Sequence, residues 1–556
     1  MPRGFAVSAI LPRGVGIRTH NVADRAPMTG VQDEEHRELP SGLRPPRQHA
    51  QGHRDRSLRA VWDVLPRPTE PTVIRRRPPF RTRWVVLGLL LIELGWIIAL
   101  PPFRGVDEHD HAFRASAVAH GQWVAPPSEA TRGTGAFVLV EPDIVAAAAP
   151  ECQRRPYTAE ADCVGTAAGD RVEIASGAGR YHPLFYAVVG APTLALDGVA
   201  SLYAMRGLAL LLCLTMAAVA LRALRSWADP MVAVAVLCGL TPVVLYSMSL
   251  VAPNGLEMMS GLALWAALGA IANSQGPVSR GHVLSAVIAA SLLLTLRSLG
   301  PLWALLIAAT ALYVWPALVP RLWSLRRTVA GGMATVTLTL VAAASLVWIL
   351  GQHSMVVGRA AALPDITPSD RLSVSAGRVP QWLLQMVAAF PSRSDAAPPV
   401  VYAAFLALLG FLIGFAIWRG ATRIRIALVI VIGASLVVPF LITIATLDNF
   451  GTAWQGRYGF PYLIGAAVLF GIPLGILGGR GRRKLVAAAF PLVVIGHTVS
   501  VVAVLQRELR ESPLSGTSAW NLAPPVVVLV ALVAVGASLV FLPLARSAVA
   551  RGQATA

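Results

Sequence analysis

Apolar residues come in blocks along this chain, not in the alternation of a strand or the one-sided stripe of a soluble helix. Twelve blocks of 17–22 residues lie at 84–100, 205–221, 231–250, 255–272, 283–299, 301–318, 329–350, 400–418, 424–444, 458–477, 485–505 and 524–544. Each predicts a membrane-spanning helix, since about 20 apolar residues cover the hydrocarbon core of a bilayer. A thirteenth run, 183–196, is shorter, and the arginines decide its place. If it stays out of the membrane, the short loops on one side carry Arg222/Arg225, Arg280, Arg321/Arg326/Arg327, Arg419/Arg423, Arg480/Arg482/Arg483/Lys484 and Arg546. That side is then cytoplasmic by the positive-inside rule, and so are both termini. If the run crossed, every later cluster would face outward, so 183–196 is expected as a helix lying at the outer surface.

Composition agrees. Of 556 residues 55% are hydrophobic and 14% charged, with a mean hydropathy of +0.61. A soluble domain carries roughly 25% charged residues, so a water-soluble globule is excluded. The fold class is an all-α polytopic membrane protein with about 12 transmembrane helices. The net charge of +18 comes almost wholly from arginine, Lys484 being the single lysine. Topology accounts for this basicity, and no nucleic-acid partner is implied. Residues 1–83 hold 16 arginines against 8 acidic residues with no apolar period, which predicts a disordered basic cytoplasmic tail. The module proper runs over 84–505, and 506–556 supplies the last outer loop, the final span and a cytoplasmic tail. Two outer segments are long: 101–204, and the shorter 351–399. The first holds Cys152 and Cys163, whose spacing suits a disulfide, the alternative being two free thiols.

Polar chemistry gathers at the predicted outer face. The first span ends at Pro101-Pro102, and Asp107-Glu108-His109-Asp110-His111 follows at once. As a helix this stretch aligns Asp107, His111 and Arg114 on one face, with Glu108 one step around. Such a cluster suits general-base work, or a divalent metal ion held by Asp107, Glu108 and His111. A solvated helix start is the bland alternative. The same topology brings Tyr181-His182, Asn254 with Glu257, Arg297, and Arg457-Tyr458 to this depth. Ionisable groups at span ends are costly unless paired or functional, and arginines there suit phosphate. Glu93 is the one carboxylate deep within a predicted span, where a structural hydrogen bond is expected.

Asp107-Glu108-x-x-His111-x-x-Arg114, His-Pro-Leu-Phe-Tyr at 182–186, Pro-Asn-Gly-Leu-Glu at 253–257 and Gly-Arg-Tyr at 456–458 together resemble the bacterial membrane-protein family called domain-of-unknown-function 2142. This chain has His109 where that family usually has Pro, and Ala252-Pro253-Asn254-Gly255 where it usually has Asn-Pro-Asp-Gly. The family in turn looks like the GT-C superfamily of membrane glycosyltransferases. That resemblance implies a GT-C-like fold with a long first extracytoplasmic loop and surface helices, in a bacterial plasma membrane. It implies transfer of a sugar from a polyprenyl-phosphate donor to a glycan or lipid acceptor in the cell envelope. Asp107 would be the base, Glu108 the second choice, and His111 a partner of either. Arg297 and Arg457 would hold the leaving phosphate. Arg114, Tyr181, His182, Asn254, Glu257 and Tyr458 would bind or orient substrate. The rival readings are a transporter or flippase of a lipid-linked saccharide, and a non-catalytic membrane scaffold.

Overall fold

The computed structural model describes residues 81–126, 135–155, 161–355, 367–452 and 454–554. The basic N-terminal tail expected at 1–83 falls almost wholly outside them. Each predicted span coincides with helix. Among the described residues, eight helices are long and apolar enough to cross a bilayer, and three bent pairs raise the number to eleven if each pair is one span. The twelfth predicted segment is the 17-residue helix Arg280–Leu296, about 26 Å long at 1.5 Å per residue. The bends are at Pro230–Gly239 with Pro242–Met248 (82°), Gly300–Val314 with Leu318–Leu325 (116°) and Gly456–Leu463 with Gly465–Ile476 (47°). Apolar side chains on the periphery are bare: Val329 is 81% exposed and Val347 71% along the helix Val329–Gly351. An apolar surface of this extent requires lipid around it. The chain is a multi-pass membrane protein.

The helix Pro253–Ala272 is the central post, buried over all of its 20 residues. The first span, Thr82–Ala99, crosses the last helix, Val526–Ala554, at a pair of glycines. A Cβ on Gly88 would come within 2.4 Å of the Gly536 carbonyl oxygen, and one on Gly536 within 2.6 Å of the Gly88 oxygen. Only two residues without side chains let the backbones approach this closely.

The two long segments lie at one end of this bundle, called here the loop end. The first contains the helix Glu108–Ala119, buried throughout except for its last residue, and a small sheet absent from the sequence reading. Strand β1 (Ala136–Val140) pairs antiparallel with β3 (Arg171–Ser176), Ala136 opposite Ser176, and β2 (Thr166–Ala168) pairs with the other edge of β3. The run 183–196 does not cross. It forms the 7-residue helix Pro183–Val189 and a 3₁₀ turn, Ala191–Leu194. Cys152 and Cys163 are joined in a disulfide, their Cα atoms 5.6 Å apart.

Among the helices longer than their apolar blocks, Gly198–Trp227 with 30 residues and Gly479–Glu511 with 33 project into the loop end. The second delivers Glu508 and Glu511 to the first long segment. Glu508 accepts from Arg104 Nε at 3.0 Å and Arg154 Nη1 at 2.5 Å, and Glu511 accepts from Arg154 Nη2 at 2.8 Å. Ser512 Oγ donates to Glu151 beside them at 2.5 Å.

The disulfide closes a segment with a sequence separation of 11. Replacing both Cys152 and Cys163 by Ser should lower stability by about 2–3 kcal/mol, read as a fall in the Tm of detergent-purified protein. An unchanged Tm would mean that the neighbouring ion pairs alone fix this segment.

Candidate active site

A cavity of about 1130 Å³ opens at the loop end. Eight of the eleven residues singled out from the sequence line it: Asp107, His111, Tyr181, Asn254, Glu257, Arg297, Arg457 and Tyr458. Glu108, Arg114 and His182 do not. The wall also holds Arg104, Arg154, Arg155, Arg378 and Arg393, with Asp110, Asp395 and Glu511. Seven arginines against five carboxylates make it a net cationic site, suited to an anionic ligand.

Asp107 sits immediately before the helix Glu108–Ala119, in the left-handed region at φ 57°. That conformation is uncommon for a residue with a Cβ, and outliers of this kind cluster at functional sites. Three contacts hold the turn. Tyr246 Oη accepts from Val106 N at 2.9 Å and donates to the Pro391 carbonyl at 2.8 Å, and Arg155 Nη2 donates to the Gly105 carbonyl at 2.7 Å. The Asp107 side chain is 34% exposed and faces two guanidinium groups, Arg457 Nη2 at 3.4 Å from Oδ2 and Arg155 Nη1 at 3.9 Å from Oδ1.

Glu108, one residue on, has the opposite environment. It is fully buried, and its two oxygens accept from Arg206 Nε at 2.8 Å and Nη2 at 2.7 Å, from Val251 N at 3.2 Å and from Gly105 N at 3.1 Å. Arg206 also donates to the carbonyls of Ile97, Leu100 and Pro101. It thereby caps the open C-terminal end of the first span, where helix carbonyls lack partners. Arg206 was not singled out from the sequence. An arginine at the very start of an apolar block was the available signal.

Arg457 lies in a 3₁₀ turn, Gly456–Gly459, on the chain that returns from the far side of the bundle. Gly456 N donates to Gln385 Oε1 at 2.8 Å, and a Cβ there would sit 2.3 Å from the Trp382 carbonyl oxygen. The close approach of the two backbones aims the next residue at Asp107. Arg457 is buried, and its Nε has no hydrogen-bond partner among the described residues. Arg297 lies 4.2 Å above the centre of the Tyr458 ring, and its Nη2 donates to Tyr181 Oη at 3.3 Å. Cation–π and hydrogen-bond contacts thus fix Arg297 without neutralising it, while Arg457 is held by the Tyr458 ring and by Asp107.

His111 Nδ1 is 2.8 Å from Tyr186 Oη, the two rings stacked. Burial lowers its imidazole from about 6.5 to about 4, with Arg297 and Arg457 acting the same way against Asp107 and Asp110. Burial likewise raises the Tyr181 and Tyr186 hydroxyls above their usual range. At neutral pH His111 is therefore an uncharged hydrogen-bonding group. Arg114 gives its N–H groups to the carbonyls of Gln122, Trp123 and Tyr181. Burial lowers its guanidinium to about 10, which leaves it charged. It positions the Tyr181 backbone and does not face the cavity. His182 caps the helix Pro183–Val189, Nδ1 accepting from Leu184 N, and rests edge-on against Trp348. The groups weighed for a divalent ion do not converge: Asp107 faces arginines, Glu108 turns to Arg206, and no cluster of three metal-ligating side chains occurs among the described residues.

Breaking the buried pair by Arg206→Met should cost about 3–5 kcal/mol, because Glu108 is left charged and alone, and Glu108→Leu in the same chain should recover part of it. Thermal unfolding in detergent measures both. For His111 the sign follows from its lowered folded-state value. Unfolded chains bind the extra proton first, so stability falls as pH drops from about 6.5 towards 4. The Tm of His111→Asn should depend less steeply on pH across that window. A parallel pair of curves would remove the assigned protonation state.

The family described as predicted membrane protein DUF2142 matches residues 90–466. No curated protein matches the sequence. Two solved structures of ArnT from Cupriavidus metallidurans are similar in fold. The form bound to undecaprenyl phosphate has 17% identity and a TM-score of 0.40, covering 84% of this chain and 78% of the other. The apo form has 16% identity and a TM-score of 0.39, with the same coverage. With more than half of its length matched by the family, from within the first span to the turn that carries Arg457, the chain belongs to the DUF2142 predicted membrane proteins.

Proposed function

We propose that this protein is a membrane glycosyltransferase that moves a sugar from a polyprenyl-phosphate donor to an acceptor hydroxyl outside the cytoplasm. The reading places it in a bacterial plasma membrane with both termini inside, as the arginine-bearing loops support. One observation carries it: a partly exposed carboxylate, Asp107, and Arg457 stand side by side on the wall of a cationic cavity at the loop end, 3.4 Å apart.

The chemistry follows from what each group can do. The acceptor hydroxyl attacks the anomeric carbon, and the bond from that carbon to the phosphate oxygen breaks. Asp107 takes the hydroxyl proton. Lipid phosphate leaves with its negative charge, and Arg457 and Arg297 hold that charge. Arg457 brings a buried Nε with no partner among the described residues, and Arg297 is braced on Tyr458 and Tyr181. Fixed guanidinium groups in a partly dry site stabilise developing charge strongly. Glu108 is committed to Arg206 and takes no part in proton transfer. Its task is to fix the turn from which Asp107 projects. His111, uncharged and hydrogen-bonded to Tyr186, does not compete for the phosphate.

The test is transfer of labelled sugar from undecaprenyl-phosphate-linked donors by the purified protein in liposomes made with envelope lipid as acceptor. Asp107→Asn should slow transfer by about 10²–10⁴-fold with donor binding kept. Arg457→Ala should lower kcat/KM by about 10²–10³-fold. Transfer that is indifferent to Asp107→Asn would sink the assignment. Movement of lipid-linked saccharide across the membrane without transfer would replace it by transport.

A further inference from the structure

One part of the cavity wall is not used by the chemistry above. Asn254 and Glu257 stand three residues apart near the start of Pro253–Ala272, so their side chains share one face of that helix. Both line the cavity, yet they are only 3% and 2% exposed. Neither is satisfied by the protein: Asn254 Nδ2 and Glu257 Oε1 have no hydrogen-bond partner among the described residues. Buried polar groups are normally paired, and one left open costs free energy unless something else completes it. Here a donor and an acceptor are left open side by side, facing the same space.

Their chemistry narrows what completes them. A second phosphate is disfavoured by the Glu257 carboxyl group. An ammonium group suits neither the Asn254 amide N–H nor the field of Arg297, the charge that acts on Glu257. Neighbouring hydroxyls of a sugar ring suit both, one accepting from Asn254 Nδ2 and the other donating to Glu257 Oε1.

We propose that Asn254 and Glu257 are the sugar-selecting pair of this site, reading two adjacent hydroxyls on an uncharged sugar carried by the lipid phosphate. The inference rests on the transfer reading for the presence of that lipid, but it concerns recognition and not the chemical step. A site built to hydrogen-bond a hydroxyl discriminates strongly against the analogue that lacks it, because its own buried groups are then left open.

The experiment measures binding by the full-length protein in lipid nanodiscs. The probes are undecaprenyl phosphate, its glucosyl, galactosyl and mannosyl derivatives, and single-deoxy analogues of the tightest of these. The quantity read is the ratio of Kd for the bare lipid to Kd for the glycosylated one. In the unmodified protein the ratio should reach about tenfold or more for the preferred sugar. Glu257→Gln, which keeps size and shape, and Asn254→Leu should each bring it close to one. Removing the matching hydroxyl from the sugar should do the same in the unmodified protein and add little in the variant. A ratio unaffected by both substitutions overturns the proposal, as does an equal weakening of bare and glycosylated lipid. If the unmodified protein binds every lipid in the panel equally, phosphate capture stands and the sugar-selecting pair is lost. If it binds none of them, the transfer reading falls as well.

Discussion

The bidentate contact between Arg206 and Glu108 is the constraint on which the rest of the loop end depends. One guanidinium, fully buried, satisfies the carbonyls at the end of the first span and both oxygens of Glu108. Glu108 passes the restraint on to Gly105 N and Val251 N. Three parts of the chain are thereby held in register: the exit of the first span, the start of the buried helix Glu108–Ala119, and the turn that precedes Pro253–Ala272. A buried pair of this kind adds little net stability when complete, because desolvation offsets most of its Coulomb attraction. Its contribution is geometric. It leaves Asp107 one fixed direction in which to point, and that direction is the cavity.

Adjacent carboxylates therefore have different work. Asp107 and Glu108 differ by one methylene and one position, yet one is partly in solvent facing the guanidinium groups of Arg457 and Arg155, and the other is sealed against its own counter-ion. The same separation recurs with the arginines. Arg114 and Arg206 are consumed by main-chain carbonyls, whereas Arg297 and Arg457 are braced by tyrosine rings, which fix a cation in place without cancelling its charge.

The spans were readable because an apolar block of the right length has few other uses in a chain this poor in charge. Their breaks were less so. Pro242 and Pro316 stand at two of the bends, but a proline inside an apolar block also occurs in the unbroken helices at Pro439 and Pro491. Depth alone brought eight of the eleven candidate residues to one cavity, since topology fixes which ends of the spans share a face. What sequence could not supply was the partner of each charge. Glu508 meets Arg104 across 404 positions, and nothing local in either stretch signals the other. The small sheet was hidden for a related reason: β2 is Thr166–Ala168, too short and too poor in branched residues to show a strand pattern.

That long-range pair has a consequence for biosynthesis. Arg104 and Arg154 are translated 354 to 404 positions before the carboxylates of Glu508 and Glu511 that they meet. While the intervening helices are being inserted into the bilayer, Glu151 is the carboxylate that Arg104 and Arg154 share beside the pocket. Insertion of the helix Gly479–Glu511 then adds Glu508 and Glu511 to that cluster, so this wall of the pocket is completed by a segment translated long after the arginines it pairs with.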